Sequence, residues 1–154
     1  MSPRQVEDRP ELRLSRLYPV APEKVWRAWT DPQALSAWFG PGEPNSVTLA
    51  EIDLRPGGRW RIGFRTPDGE AHEVGGEYVE VVPPEKLVFS WAWHSTPERV
   101  SRVTLLLRAA EGGTALDFRH ERFFDQAARD GHAHGWSLTF EKLDAWVRRP
   151  EIGP

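Results

Sequence analysis

Five histidines, eight tryptophans and no cysteine define the chemistry open to this chain of 154 residues. Without cysteine there is no disulfide, no thiolate nucleophile and no Cys-ligated metal. His132-x-His134 has a spacing that invites comparison with a metal pair. On a helix, however, residues two apart point about 200° away from each other, so the two imidazoles cannot chelate one ion. No metal and no cofactor are expected. His120 differs in sharing the strand parity of Leu116 and Phe118, which turns it toward the covered side of a sheet. A polar group there must find a partner or a ligand. The plainer reading is a core histidine with its hydrogen bonds met; the sharper one is an acid–base group facing a cavity. Carboxylates add little. Glu73, Glu77 and Glu80 are strung along one strand, and a hydrolase would need two carboxyl groups converging across a cleft. If Tyr78 faces inward, Glu80 is expected to do so too. There is no Gly-rich phosphate loop, no G-x-S-x-G elbow and no H-E-x-x-H. Whether the chain is an enzyme is therefore left open.

The elements that must position these groups can be read from periodicity. Leu12-Arg13-Leu14-Ser15-Arg16 alternates as a first strand. Pro22 begins a short helix with Val25, Trp26 and Trp29 as its stripe. Asp31-Pro32 caps a second, carrying Leu35, Trp38 and Phe39, and Gly40-Pro41-Gly42 ends it. Strands are expected over Val47–Leu54, at Trp60/Ile62/Phe64, over His72–Val82, at Leu87/Phe89/Trp91/Trp93, at Ser101/Val103/Leu105/Leu107 and at Leu116/Phe118/His120. Arg55-Pro56-Gly57-Gly58 reads as a strand connection, not a phosphate cradle, because a strand and not a helix follows it. A long helix capped by Asp125 closes the chain, with Trp136, Phe140, Leu143 and Val147 on one face. Gly131 and Gly135 lie one turn apart within it, where they either bend the helix, let a neighbour approach or leave room. The fold class is α+β: a meander of about seven antiparallel strands wrapped around a C-terminal helix, with two short helices after the first strand.

Composition agrees with one domain over 11–149, preceded by a loose tail over 1–10. The net charge of −3 gives no general attraction to nucleic acid, and Arg59, Arg61 and Arg65 read as a solvated outer stripe. No apolar run nears the ~20 residues that span a bilayer, and the first nine residues lack the apolar core of a signal peptide. A cytoplasmic protein without membrane insertion is expected.

Several stretches together resemble one family: Asp31-Pro32 with Trp38-Phe39-Gly40-Pro41, then Asp53-Leu54-Arg55-Pro56-Gly57-Gly58-Arg59-Trp60, then Val81-Val82-Pro83-Pro84-Glu85-Lys86-Leu87-Val88-Phe89-Ser90-Trp91, then Gly112-Gly113-Thr114 and Gly135-Trp136. From about Leu12 to Val147 the chain is similar to homologues of the C-terminal domain of the activator of the heat-shock-protein-90 ATPase. That family sits in the START/polyketide-cyclase (SRPBCC) superfamily. The resemblance implies a helix-grip fold around a cavity, and a small hydrophobic or aromatic ligand. A cyclase- or hydrolase-like enzyme using His120, and a co-chaperone-like interaction domain, are the alternatives it implies. A homodimer also stays open. Parity and helix face give the expected cavity walls: Trp91, Trp93, Phe118, His120 and Trp136, with Phe140 on the same helix face and Trp60, Phe64 and Ser101 in second rank.

Overall fold

A computed structural model describes residues 10–150. The expected tail, Pro10 apart, lies outside the described residues. The elements follow as β1 (Leu12–Tyr18), α1 (Pro22–Thr30), α2 (Pro32–Trp38), β2 (Val47–Ile52), β3 (Arg59–Arg65), β4 (Ala71–Val82), β5 (Lys86–Trp93), β6 (Ser101–Ala110), β7 (Gly113–Glu121) and α3 (Gln126–Arg148). The strands form one antiparallel sheet in the order β1-β7-β6-β5-β4-β3-β2. β1 pairs with β7 alone, running from Leu12 opposite His120 to Tyr18 opposite Thr114. This is the helix-grip arrangement. The 23-residue α3 lies over the inner face, and Trp136, Phe140, Leu143 and Val147 are buried against it. None of the described helices is long and apolar enough to cross a membrane.

Local chemistry explains the element ends. Asp31 accepts from the Gln33 amide, with Pro32 in the first turn of α2. Asp125 accepts from the Ala128 amide at 2.8 Å to open α3. Both caps satisfy backbone donors that have no intrahelical partner. Gly40, just past α2, has a φ of 100°, a conformation that side chains with a β-carbon resist. At the β2–β3 connection the Gly57 amide donates to the Tyr78 carbonyl at 2.8 Å, and the Tyr78 amide donates to Gly58 at 2.9 Å. A β-carbon at Gly58 would stand 2.1 Å from the Asp53 carbonyl oxygen. The turn is thus a structural graft onto β4.

β4 corrects one expectation. Val74 and Tyr78 are buried, so Tyr78 does face inward. The register to β5 then slips, with Tyr78 opposite Phe89 but Glu80 opposite Val88. The extra residue inverts the alternation. Val79 is 43% exposed, and Glu80 points outward to pair with Lys86 at 3.1 Å. Glu80 is therefore not a cavity carboxylate.

A second irregularity lies earlier in β4. The Glu77 amide donates to Ser90 Oγ at 2.9 Å, and the Trp60 indole donates to the Ser90 carbonyl at 3.1 Å. A β-carbon at Gly76 would lie 2.0 Å from that same carbonyl oxygen. Gly76→Ala is expected to destabilise by about 1–3 kcal/mol, the range for overpacking a close-packed site. Chemical denaturation would read it as a lower midpoint at unchanged slope, and an unchanged midpoint would contradict it.

Candidate ligand cavity

A cavity of about 320 Å³ lies between the sheet and the N-terminal half of α3. Three segments build its sides. Phe39, Gly40 and Pro41 come from the end of α2, Phe64 from β3, and Trp91 and Trp93 from β5. α3 supplies the cover through Ala127, Ala128, Gly131, His132, Gly135, Trp136 and Thr139. The glycines neither bend toward a neighbour nor admit one. A β-carbon at Gly131 or Gly135 would meet nothing within 4 Å. Both line the cavity, Gly131 at its solvent-exposed end.

The remaining expected residues stand elsewhere. Phe118, His120 and Phe140 are buried behind the cavity, and Ser101 with them. Phe118 packs on Trp136 with ring centres 4.6 Å apart. Phe140 packs on Phe118 at 5.2 Å, under the Arg16 guanidinium. Trp60 lines a smaller void deeper in the core. Strand parity assigns a face but not a position along the strand, and these residues share the face of Trp91 without reaching the cavity.

The two inward histidines are fixed by hydrogen bonds. Trp136 Nε1 donates to His120 Nδ1 at 3.1 Å. His120 Nε2 therefore carries the proton and donates to Ser101 Oγ at 2.7 Å, and Ser101 Oγ donates to the Trp91 carbonyl at 3.3 Å. His120 is wholly buried. Burial, with His132 nearby, holds its pKa well below the usual imidazole range. His132 takes the other tautomer. Its Nδ1 donates to the Ala128 carbonyl at 2.7 Å, while its Nε2 accepts from Trp93 Nε1 at 2.9 Å. Burial lowers its pKa too, against an opposing contribution from the Ala128 bond. Both imidazoles are neutral at neutral pH, and all four ring nitrogens are engaged. His134, two residues on, is exposed on the opposite face. Among the described residues no group of three or more His, Cys, Asp or Glu could hold a metal ion.

Sequence reasoning missed His132, Phe39 and the Gly40-Pro41 rim as walls. His132 had a readable signal, since it lies one turn before Trp136 on the helical stripe. The rim is tied to the helix: Lys142 Nζ donates to the carbonyls of Gly40 and Gly42. Burial pushes the Lys142 pKa down, with Glu43 opposing.

Known proteins agree with this architecture. A Chromobacterium violaceum protein of known structure is 28% identical, covers 92% of this chain and 99% of its own, and superposes with a TM-score of 0.79. A Rhodobacter sphaeroides protein is 27% identical over 98% of this chain and 99% of its own, with a TM-score of 0.77. The AHSA1 protein of Silicibacter pomeroyi is 27% identical over 88% of this chain and 96% of its own, with a TM-score of 0.76. No curated protein matches significantly by sequence. Residues 19–148 match the family described as Activator of Hsp90 ATPase homolog 1-like protein. With that match over most of its length and the helix-grip fold beneath it, the chain belongs to the Activator of Hsp90 ATPase homolog 1-like family.

Proposed function

We propose that this protein binds a small hydrophobic or aromatic molecule in the cavity between α3 and the sheet. The observation that carries the reading is the pair of glycines on the covering helix. Each costs about 1 kcal/mol relative to Ala in a helix interior, and neither is required by a close neighbour. The chain forgoes helix stability and keeps space open, in a protein whose interior is otherwise packed with aromatic rings. A volume of about 320 Å³ suits a ligand of one or two fused rings at the lower end of small-molecule sites. Phe64, Trp91, Trp93 and Trp136 offer it ring faces and edges. Among the described walls the one titratable side chain is His132, whose nitrogens are both engaged. That supports binding without turnover.

The test is a cavity-filling series. Gly131→Ala and Gly135→Ala are each expected to raise stability by up to about 1 kcal/mol. Gly135→Leu is expected to abolish quenching of tryptophan fluorescence by naphthalene-sized ligands while the protein still melts cooperatively. If a broad panel of apolar aromatic molecules leaves wild-type emission unchanged, the proposal fails.

A further inference from the structure

Two buried indole N–H groups have no acceptor, Trp29 Nε1 and Trp91 Nε1. The indoles of Trp38, Trp60, Trp93 and Trp136 each donate to a carbonyl or an imidazole. Both unpartnered residues border the same small void, of about 20 Å³, deeper than the main cavity. Buried donors left unmet are uncommon and ask for an explanation. The void exceeds the ~10–15 Å³ that one water needs. A water, however, brings two hydrogens of its own, and the Tyr78 hydroxyl is the one side-chain acceptor among the walls. An oxygen that only accepts, with two lone pairs, matches two donors and leaves nothing unmet.

Phe39 and Trp91 are walls of both the void and the main cavity. Their ring centres lie 6.0 Å apart, and together they form the partition between the two spaces. Phe39 is followed by Gly40 in its left-handed conformation, so its ring hangs from the end of a helix and not from the sheet. No cationic side chain borders either space, and a carboxylate there would be desolvated without a counter-ion.

We propose that the void is the inner end of the binding site, and that it selects ligands carrying a neutral carbonyl oxygen, received by the Trp29 and Trp91 indoles after Phe39 swings aside. The inference rests on the ligand-binding reading above. It makes Trp29 and Trp91 specificity-determining residues and leaves the ring faces of the outer cavity to hold the ligand's apolar body.

The experiment compares 2-acetylnaphthalene with its near-isostere 2-isopropylnaphthalene on wild-type protein, with 2-naphthoate as the charged control. Affinity is read by titration, and the indole ¹⁵N–¹H resonances are followed in the same samples. The ketone is expected to bind about tenfold more tightly than the isopropyl compound, the order of effect when a buried donor gains an acceptor. With the ketone alone, the Trp29 and Trp91 indole protons are expected to move downfield, and 2-naphthoate is expected to show no advantage over the isopropyl compound. Trp91→Phe is expected to weaken both neutral compounds, because Trp91 is also a wall of the outer cavity, and to erase the ketone's preference between them; the wild-type resonances decide the matter should that variant not fold. Equal affinity of the two neutral compounds with both indole resonances unmoved overturns the inference and leaves ligand binding standing, as does a water in the void that survives ketone binding. Failure of every naphthalene to bind removes the ligand-binding reading itself, and this inference with it.

Discussion

Trp136→Ala is expected to remove the cooperative thermal transition. The indole is buried and touches rings on every side: Trp91 at 5.2 Å, Phe118 at 4.6 Å and Trp29 at 6.0 Å between centres. Truncating such a side chain costs about 3–5 kcal/mol. The substitution also strips His120 Nδ1 of its donor, and a buried polar atom left unmet adds about 1–3 kcal/mol. Against a total stability of about 5–15 kcal/mol, the sum leaves little or nothing. The product should retain far-ultraviolet circular dichroism, bind ANS and lose near-ultraviolet signal. Trp136→Phe keeps much of the ring and should melt cooperatively at a lower temperature. A Trp136→Ala protein that melts sharply within a few degrees of wild type would show that α3 does not govern the fold.

Stability is expected to fall steeply as pH drops below about 6.5, before most carboxylates titrate. The cause is the His120–His132 pair. In the unfolded chain both take protons near the ordinary imidazole value of 6.5, while in the folded protein burial depresses both pKa values. Above 6.5 neither state binds these protons and no stability is lost. Below it the unfolded state binds more, so unfolding becomes easier with each unit until the folded-state values are reached. Each such group contributes a slope of at most about 1.4 kcal/mol per pH unit, reached only between its unfolded and folded values. Urea melts between pH 7.5 and 5 measure the slope, and NMR of the imidazole nitrogens should show the His120 proton on Nε2 at neutral pH, with a second proton taken up only below the pH at which a free imidazole takes one. A flat stability profile across that range would refute the account.

The strands and helices were legible because the sequence carries period-2 alternation at nearly every strand and a Pro, Asp-Pro or Asp signal at the start of each helix. Trp60, Ile62 and Phe64 against Arg59, Arg61 and Arg65 is the clearest case: the arginines lie on the outer face, with Arg59 beside Glu77 and Arg61 beside Glu51 and Glu73. Glu80 was illegible because a bulge inverts alternation without leaving a sign in residue type. The cavity was half legible. Alternation placed Trp91, Trp93 and Phe64 on the covered face, and helical spacing did the same for Trp136. Depth along a strand follows from tertiary packing, so Phe118, His120 and Ser101 could not be told apart from true walls. The rim residues Gly40 and Pro41 show only as a helix stop. Their place at the cavity mouth depends on Lys142, which is 100 residues or more away in sequence.

The pairing of β1 with β7 has a consequence for how the chain is made. Among the seven described strands β1 leaves the ribosome first, and its sole partner in the sheet is the last of them to emerge. Between Leu12 and His120, which face each other across that ladder, every other strand has been synthesised. Until β7 appears, β1 has no ladder to join, and until α3 follows, the inner face of tryptophan and phenylalanine rings has no cover. Closing so long a loop adds little to the final free energy but lies on the path to it. Unpaired edges and uncovered apolar faces are the parts of a nascent chain that associate wrongly. Synthesis of this domain therefore reaches its most exposed intermediate just before β7 and α3 emerge, and its yield in a cell should depend more on how the stretch from β7 through α3 is delivered than on the strands before it.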